Sequence, residues 1–181
     1  MKKICIITGA SSGLGRMLVK AAKGLVPADE FWLISRSEEK LCKTAKEFGV
    51  ENARIIPLDL TYDASFSELD RLLEKHGYKR DGKLYRAVNA NNGTIVLFCH
   101  FGLEAVLLSH LLNISPMLLW HGFCAAPSSV TTVVTEERRE GTAYFRVLSF
   151  GDTSHLYACG EKPAFSGRFV EKHGNEGERV D

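Results

Sequence analysis

The first third of the chain switches regularly between two hydrophobic periods. Lys3 to Thr8 is a short apolar run rich in β-branched residues, the pattern of a fully buried parallel strand. A glycine-rich turn follows, then a helical pattern from about Leu14 to Lys23. Phe31 to Ser35 reads as a second strand. Ser37 is placed to cap a helix running to Phe48, with Gly49 as its stop signal. Ala53 to Leu60 reads as a third strand. Ser65-Phe66-Ser67-Glu68 has the form of a capping box for a helix ending at His76, before Gly77. Strand and helix alternating at this spacing predict right-handed βαβ units and a parallel sheet.

The texture changes after Gly77. Tyr78 to Lys83 is polar and turn-like, and Asn89 to Gly93 reads as a loop. Thr94 to Cys99 is a further buried strand, followed by a helix from about Leu103 to Leu112. Ser115-Pro116 opens a short helix with proline at its first position. Val130 to Glu136 and Thr142 to Phe150 predict two antiparallel strands around a charged hairpin tip. The expected fold is α/β, three-layered, with a mostly parallel doubly wound sheet of Rossmann type and an antiparallel strand pair near the C-terminus. The expected segments are 1–76, 77–160 and a polar, glycine-rich tail over 161–181.

Composition narrows the class. The 181 residues are 45% hydrophobic and 25% charged, with a net charge of +1, so neither disorder nor a general attraction to nucleic acid or anionic membranes is expected. Five cysteines stand singly with no Cys-x-x-Cys pair, which reads as reduced thiols in a cytoplasmic protein. The N-terminal apolar run is too short for a signal peptide. The run from Ile95 to Trp120 contains His100, Glu104, His110, Asn113 and Pro116, which fits strand, turn and helix rather than a membrane span. No His-x-x-x-His or His-Glu-x-x-His occurs. Glu104, four residues after His100, completes at most a two-ligand pair, so no metal site is expected.

Thr8-Gly9-Ala10-Ser11-Ser12-Gly13-Leu14-Gly15 follows a predicted strand and opens a predicted helix. Glycines there permit a tight turn and close approach of backbone to a pyrophosphate, and the helix N-terminus supplies free N–H groups. With Ser35-Arg36 after the second strand and Leu58-Asp59-Leu60 at the end of the third, residues 1 to about 75 resemble the N-terminal part of the short-chain dehydrogenase/reductase family. The resemblance implies a dinucleotide site formed by Thr8, Gly9, Ser11, Ser12, Gly13, Leu14, Gly15, Arg16, Ser35, Arg36, Asp59 and Leu60. Within it, Asp59 and Leu60 border the adenine. Arg36 favours NADP over NAD, because a guanidinium can grip a 2′-phosphate with two hydrogen bonds. Arg16 is a second candidate for that contact.

Family catalysis uses a tyrosine with a lysine four residues later. The residues four after Tyr62, Tyr78, Tyr85, Tyr144 and Tyr157 are Phe66, Gly82, Asn89, Leu148 and Glu161. Binding without turnover is therefore expected.

From about Gly77 to Ala158 a second resemblance holds. Thr94 to Gly102, ending in Cys99-His100-Phe101-Gly102, is similar to the late strand and turn of the histidine phosphatase (phosphoglycerate mutase-like) family, and the elements after it continue the likeness. His100 would match the histidine that helps bind a phosphoryl group, implying a phosphorylated small molecule as a partner. The Arg-His-Gly of that family's nucleophile is absent. The two resemblances together imply a chimera of shortened parents joined near residues 70 to 77. It would be an NADP-binding protein without complete catalytic machinery, a phosphatase remnant, or a non-catalytic product. If the two parts share a sheet, the strand ending at His100 should lie beside the first strand, bringing His100 and the glycine loop to one cleft.

Overall fold

A computed structural model describes residues 3–59 and 64–164, without the side chains of residues 64 and 65. Leu60 and residues 165–181 of the expected tail lie outside the described residues. The chain divides into two units, Met1–Arg80 with Val88–Leu103, and Asp81–Ala87 with Glu104–Asp181.

The first unit is built on a parallel sheet. Its strands are β1 (Ile4–Thr8), β2 (Glu30–Ser35), β3 (Ala53–Pro57) and β6 (Ile95–Phe98), in the order β3-β2-β1-β6. All five residues of β1 are buried, as an unbroken apolar run demands of a strand covered on both faces. Alternate side chains feed two cores. Cys5, Ile7, Phe31 and Leu33 pack with Val19 and Ala22 of α1 (Gly13–Leu25) and Leu41 of α2 (Glu38–Glu47). Ile4, Ile6, Trp32 and Ile34 pack with Leu72 of α3 (Ala64–Lys75). Helices on both faces give the expected three layers. The chain winds outward from β1 to β3, then returns through α3 to place β6 on the other side of β1.

Local chemistry fixes the helix ends. Ser37 Oγ accepts the Lys40 N–H at 3.4 Å, and Glu38 and Glu39 occupy the positive end of α2. Gly49 stops that helix with φ +63°, while the Lys23 ammonium donates to the Phe48 carbonyl at 2.9 Å. The helix α3 begins at Ala64, so Ser65 lies inside it rather than capping it. The strand expected to reach Leu60 ends at Pro57, with one last bond to β2 from the Leu58 N–H to the Ser35 carbonyl at 3.0 Å.

The polar stretch after Gly77 is not only a turn. It forms β4 (Tyr78–Asp81), a turn at Gly82 with φ +59°, and β5 (Leu84–Ala87). These join β7 (Val130–Arg139) and β8 (Thr142–Asp152) in a second sheet ordered β4-β5-β8-β7, so the expected strand pair is part of a four-stranded sheet. Strand β8 pairs antiparallel with both β5 and β7. Within the second unit, Ala105 and Leu108 of α4 (Phe101–Leu112) and Leu119 of α5 (Pro116–Gly122) pack with Val133, Val147 and Phe150. Ser115 caps α5 through the Met117 N–H. A last short helix, α6, spans Ser154–Ala158.

Candidate functional site

The loop between β1 and α1 sits where the strand order reverses, with β2 on one side of β1 and β6 on the other. At that point loops leave in opposite directions and open a crevice at the C-terminal strand ends. Thr8 closes one side of it, donating its hydroxyl to the Phe98 carbonyl at 3.1 Å. Ala10 N–H reaches the Ile34 carbonyl at 3.4 Å on the other. The start of the loop is thus tied to both neighbouring strands.

Each glycine has its own reason. Gly9 and Gly13 have φ +64° and +52°, the left-handed region that side chains disfavour. A β-carbon on either would meet nothing within 4 Å, so both face open space that a ligand can enter. Gly15 differs. Its built β-carbon would lie 2.5 Å from the Gly9 carbonyl oxygen, so helix and strand end are packed backbone to backbone. Ser12 N-caps α1 without a side-chain hydrogen bond, and no acidic residue occupies the first turn. The helix therefore presents N–H groups and the positive end of its dipole to the open side. Open glycine faces and an uncapped helix start fit a pyrophosphate.

The remaining expected residues are distributed as follows. Ser35 ends β2, and its buried Oγ has no hydrogen-bond partner among the described residues. Arg36, next in the chain, is exposed and in no ion pair among the described residues. Arg16 is instead ion-paired with Glu47, and its guanidinium lies 5.0 Å from the centre of the Phe48 ring. It fastens α1 to the end of α2, which the sequence alone did not signal. Asp59 is half-buried just after β3. Ser11 is half-buried, while Ser12 and Leu14 are exposed. His100 is exposed, two residues beyond Phe98. Phe98 pairs with Ile7, and Gly9 stands two residues beyond Ile7, so the two strands release His100 and the glycine loop at the same end of the sheet. Among the described residues no cluster of three or more His, Cys, Asp or Glu could hold a metal ion, and no helix is long and apolar enough to cross a membrane.

No family model matches the chain. Over 73 residues, 40% of its length, it is 37% identical to an uncharacterized oxidoreductase of Staphylococcus haemolyticus, covering 29% of that protein. Among solved structures, it is similar to a short-chain dehydrogenase from Streptomyces avermitilis, at 28% identity over 42% of this chain and 28% of the other, with a TM-score of 0.34. A metagenomic short-chain oxidoreductase in complex with NADP matches at 24% identity over 42% and 35%, with a TM-score of 0.36. A bulky-bulky ketone specific alcohol dehydrogenase from Comamonas testosteroni matches at 18% identity over 67% and 49%, with a TM-score of 0.37. The chain thus spans less than a third of the curated relative it matches, and the histidine phosphatase resemblance of residues 77 to 158 finds no support. Part of this chain is similar to short-chain oxidoreductases.

Proposed function

We propose that the first unit binds a nicotinamide dinucleotide, NADP in preference to NAD, and that the 181 residues bind it without turning over a substrate. The carrying observation is the glycine loop at the reversal of strand order, with two open glycine faces and an uncapped helix start. Gly9, Gly13 and the first-turn N–H groups would hold the pyrophosphate. Ser35 and Asp59 would border the adenosine, as would Leu60, which lies outside the described residues. Arg36, exposed and in no ion pair among the described residues, is the better placed of the two arginines for a 2′-phosphate, because Arg16 already has Glu47. When bound, such a cofactor supplies hydride chemistry. No tyrosine of this chain has a lysine four residues on, which is why binding, not catalysis, is proposed. His100 would border the same crevice as a hydrogen-bonding group for a phosphate.

The test is a thermal-shift titration of the purified protein with NADPH, NADH and inorganic phosphate. A ligand at ~100 times its Kd adds roughly 2.7 kcal/mol to stability. The expected result is a saturable upward shift, larger for NADPH than for NADH. A cooperative melt unmoved by NADPH would overturn the proposal.

A further inference from the structure

We propose a second anion site at the other end of the first sheet, taking a small phosphate monoester in a cavity of about 460 Å³ lined by Trp32, Arg54, Lys75, His76 and Asn89. Trp32 and Arg54 are register partners on β2 and β3, so their side chains share a face. The Arg54 guanidinium carbon stands 4.5 Å from the centre of the Trp32 ring. Lys75, the last residue of α3, brings its ammonium to 5.2 Å from the same ring. Two cations therefore converge on one indole. Neither is in an ion pair among the described residues. The ring's electron-rich face attracts each cation but leaves most of its N–H donors open.

The other walls supply selectivity. Asn91 is fully committed. Its amide donates to the His76 and Asn89 carbonyls at 2.7 and 2.8 Å, and its oxygen accepts the Gly93 N–H at 2.9 Å. That network fixes the loop carrying Asn89, whose own side-chain amide makes no hydrogen bond among the described residues. Burial pushes the His76 pKa down, so at neutral pH its imidazole offers one donor and one acceptor. Glu30, which also lines the cavity, accepts the indole N–H at 3.0 Å, and its carboxylate disfavours an anionic group placed beside it. Two cations with an amide donor match one phosphoryl group, and the carboxylate disfavours further negative charge on the rest of the ligand.

This site does not depend on the dinucleotide reading. Trp32 stands three residues before Ser35, the last residue of β2, so roughly 10 Å of strand separates the centre of the cavity from the glycine-loop end.

The experiment uses the chain's two tryptophans, Trp32 and Trp120. In Trp120→Phe, Trp32 is the only indole. Its emission is followed while glycerol phosphate or inorganic phosphate is added at constant ionic strength. A saturable change is expected, with about tenfold or more weaker binding in Arg54→Gln/Lys75→Gln at an unchanged melting temperature. Asn89→Ala should weaken binding by a smaller factor and serves if the double variant fails to fold. Phosphorus NMR line widths of glycerol phosphate with the unsubstituted protein give the same reading without Trp120→Phe. Absence of a saturable change, an equal change with chloride, or unaltered binding in the variants would overturn the site. NADPH binding is expected to survive all of these substitutions, so failure here and failure of the dinucleotide proposal are separable.

Discussion

A β-carbon added to Gly15 would lie 2.5 Å from the carbonyl oxygen of Gly9 and 2.7 Å from that of Thr8. Alanine ordinarily improves a helix over glycine by about 1 kcal/mol. At Gly15 the backbone on the other side cannot give way, so the sign reverses. Gly15→Ala should cost roughly 2 kcal/mol and abolish any NADPH-dependent shift. Gly24, in the same helix with open space around its position, is the control. Gly24→Ala should stabilise by about 0.5–1 kcal/mol. Urea unfolding of the two variants measures both effects.

Thr8 links the central strand to its outer neighbour through the 3.1 Å bond from its hydroxyl to the Phe98 carbonyl. Thr8→Val keeps the shape and removes the donor in a buried setting. A loss of about 1 kcal/mol is expected, read as a lower urea midpoint at an unchanged slope. No loss would mean that the hydroxyl contributes nothing to seating β6.

Arg36 and Arg16 should separate by function. Arg36→Ala is expected to lower the preference for NADPH over NADH by about tenfold, a charge-assisted contact of ~1.4 kcal/mol, with little change in melting temperature. Arg16→Ala should leave that preference in place and lower stability by about 1 kcal/mol, through its exposed pair with Glu47 and its contact with Phe48. Titrating both cofactors against each variant decides it. The opposite pattern would assign the 2′-phosphate to Arg16.

Burial raises the Cys5 thiol to about 11. The native state keeps its proton where the unfolded chain, near 9, has lost it. Stability contributed by the neutral thiol is complete below about pH 9 and falls as pH rises toward 11, by roughly 2–3 kcal/mol in all. Unfolding midpoints measured between pH 8 and 11 should show this alkaline decline, and Cys5→Ala should flatten it. In the native protein at pH 7.5, Cys5 should resist alkylation while the exposed Cys99, Cys124 and Cys159 react.

Much of the first unit was legible because its signals are local. An unbroken apolar run makes β1 a strand buried on both faces. Ser37 and Gly49 mark the ends of α2 because a cap and a left-handed stop act within a few residues. The glycine spacing identified the loop, since each glycine answers a requirement of the backbone itself. The strand ending near His100 was placed beside β1 by the logic of a doubly wound sheet, and it pairs there.

What the sequence could not fix depends on partners far along the chain. Residues Tyr78–Lys83 are polar and read as turn-like, and no local signal marks Leu84–Ala87 as a strand. They become β4 and β5 because β8, more than fifty residues later, supplies a strand edge to pair with β5. Arg16 reads from the sequence as a second candidate, after Arg36, for a 2′-phosphate, and only the tertiary structure shows α2 bringing Glu47 and Phe48 beside it. The cavity at Trp32 gathers β2, β3, the end of α3 and the Asn89–Gly93 loop, four segments with no shared motif. Sequence determines backbone preference and which face of an element is apolar, because both act over a few residues. Which charge meets which ring, and which polar strand finds an edge, is decided only when distant segments pack.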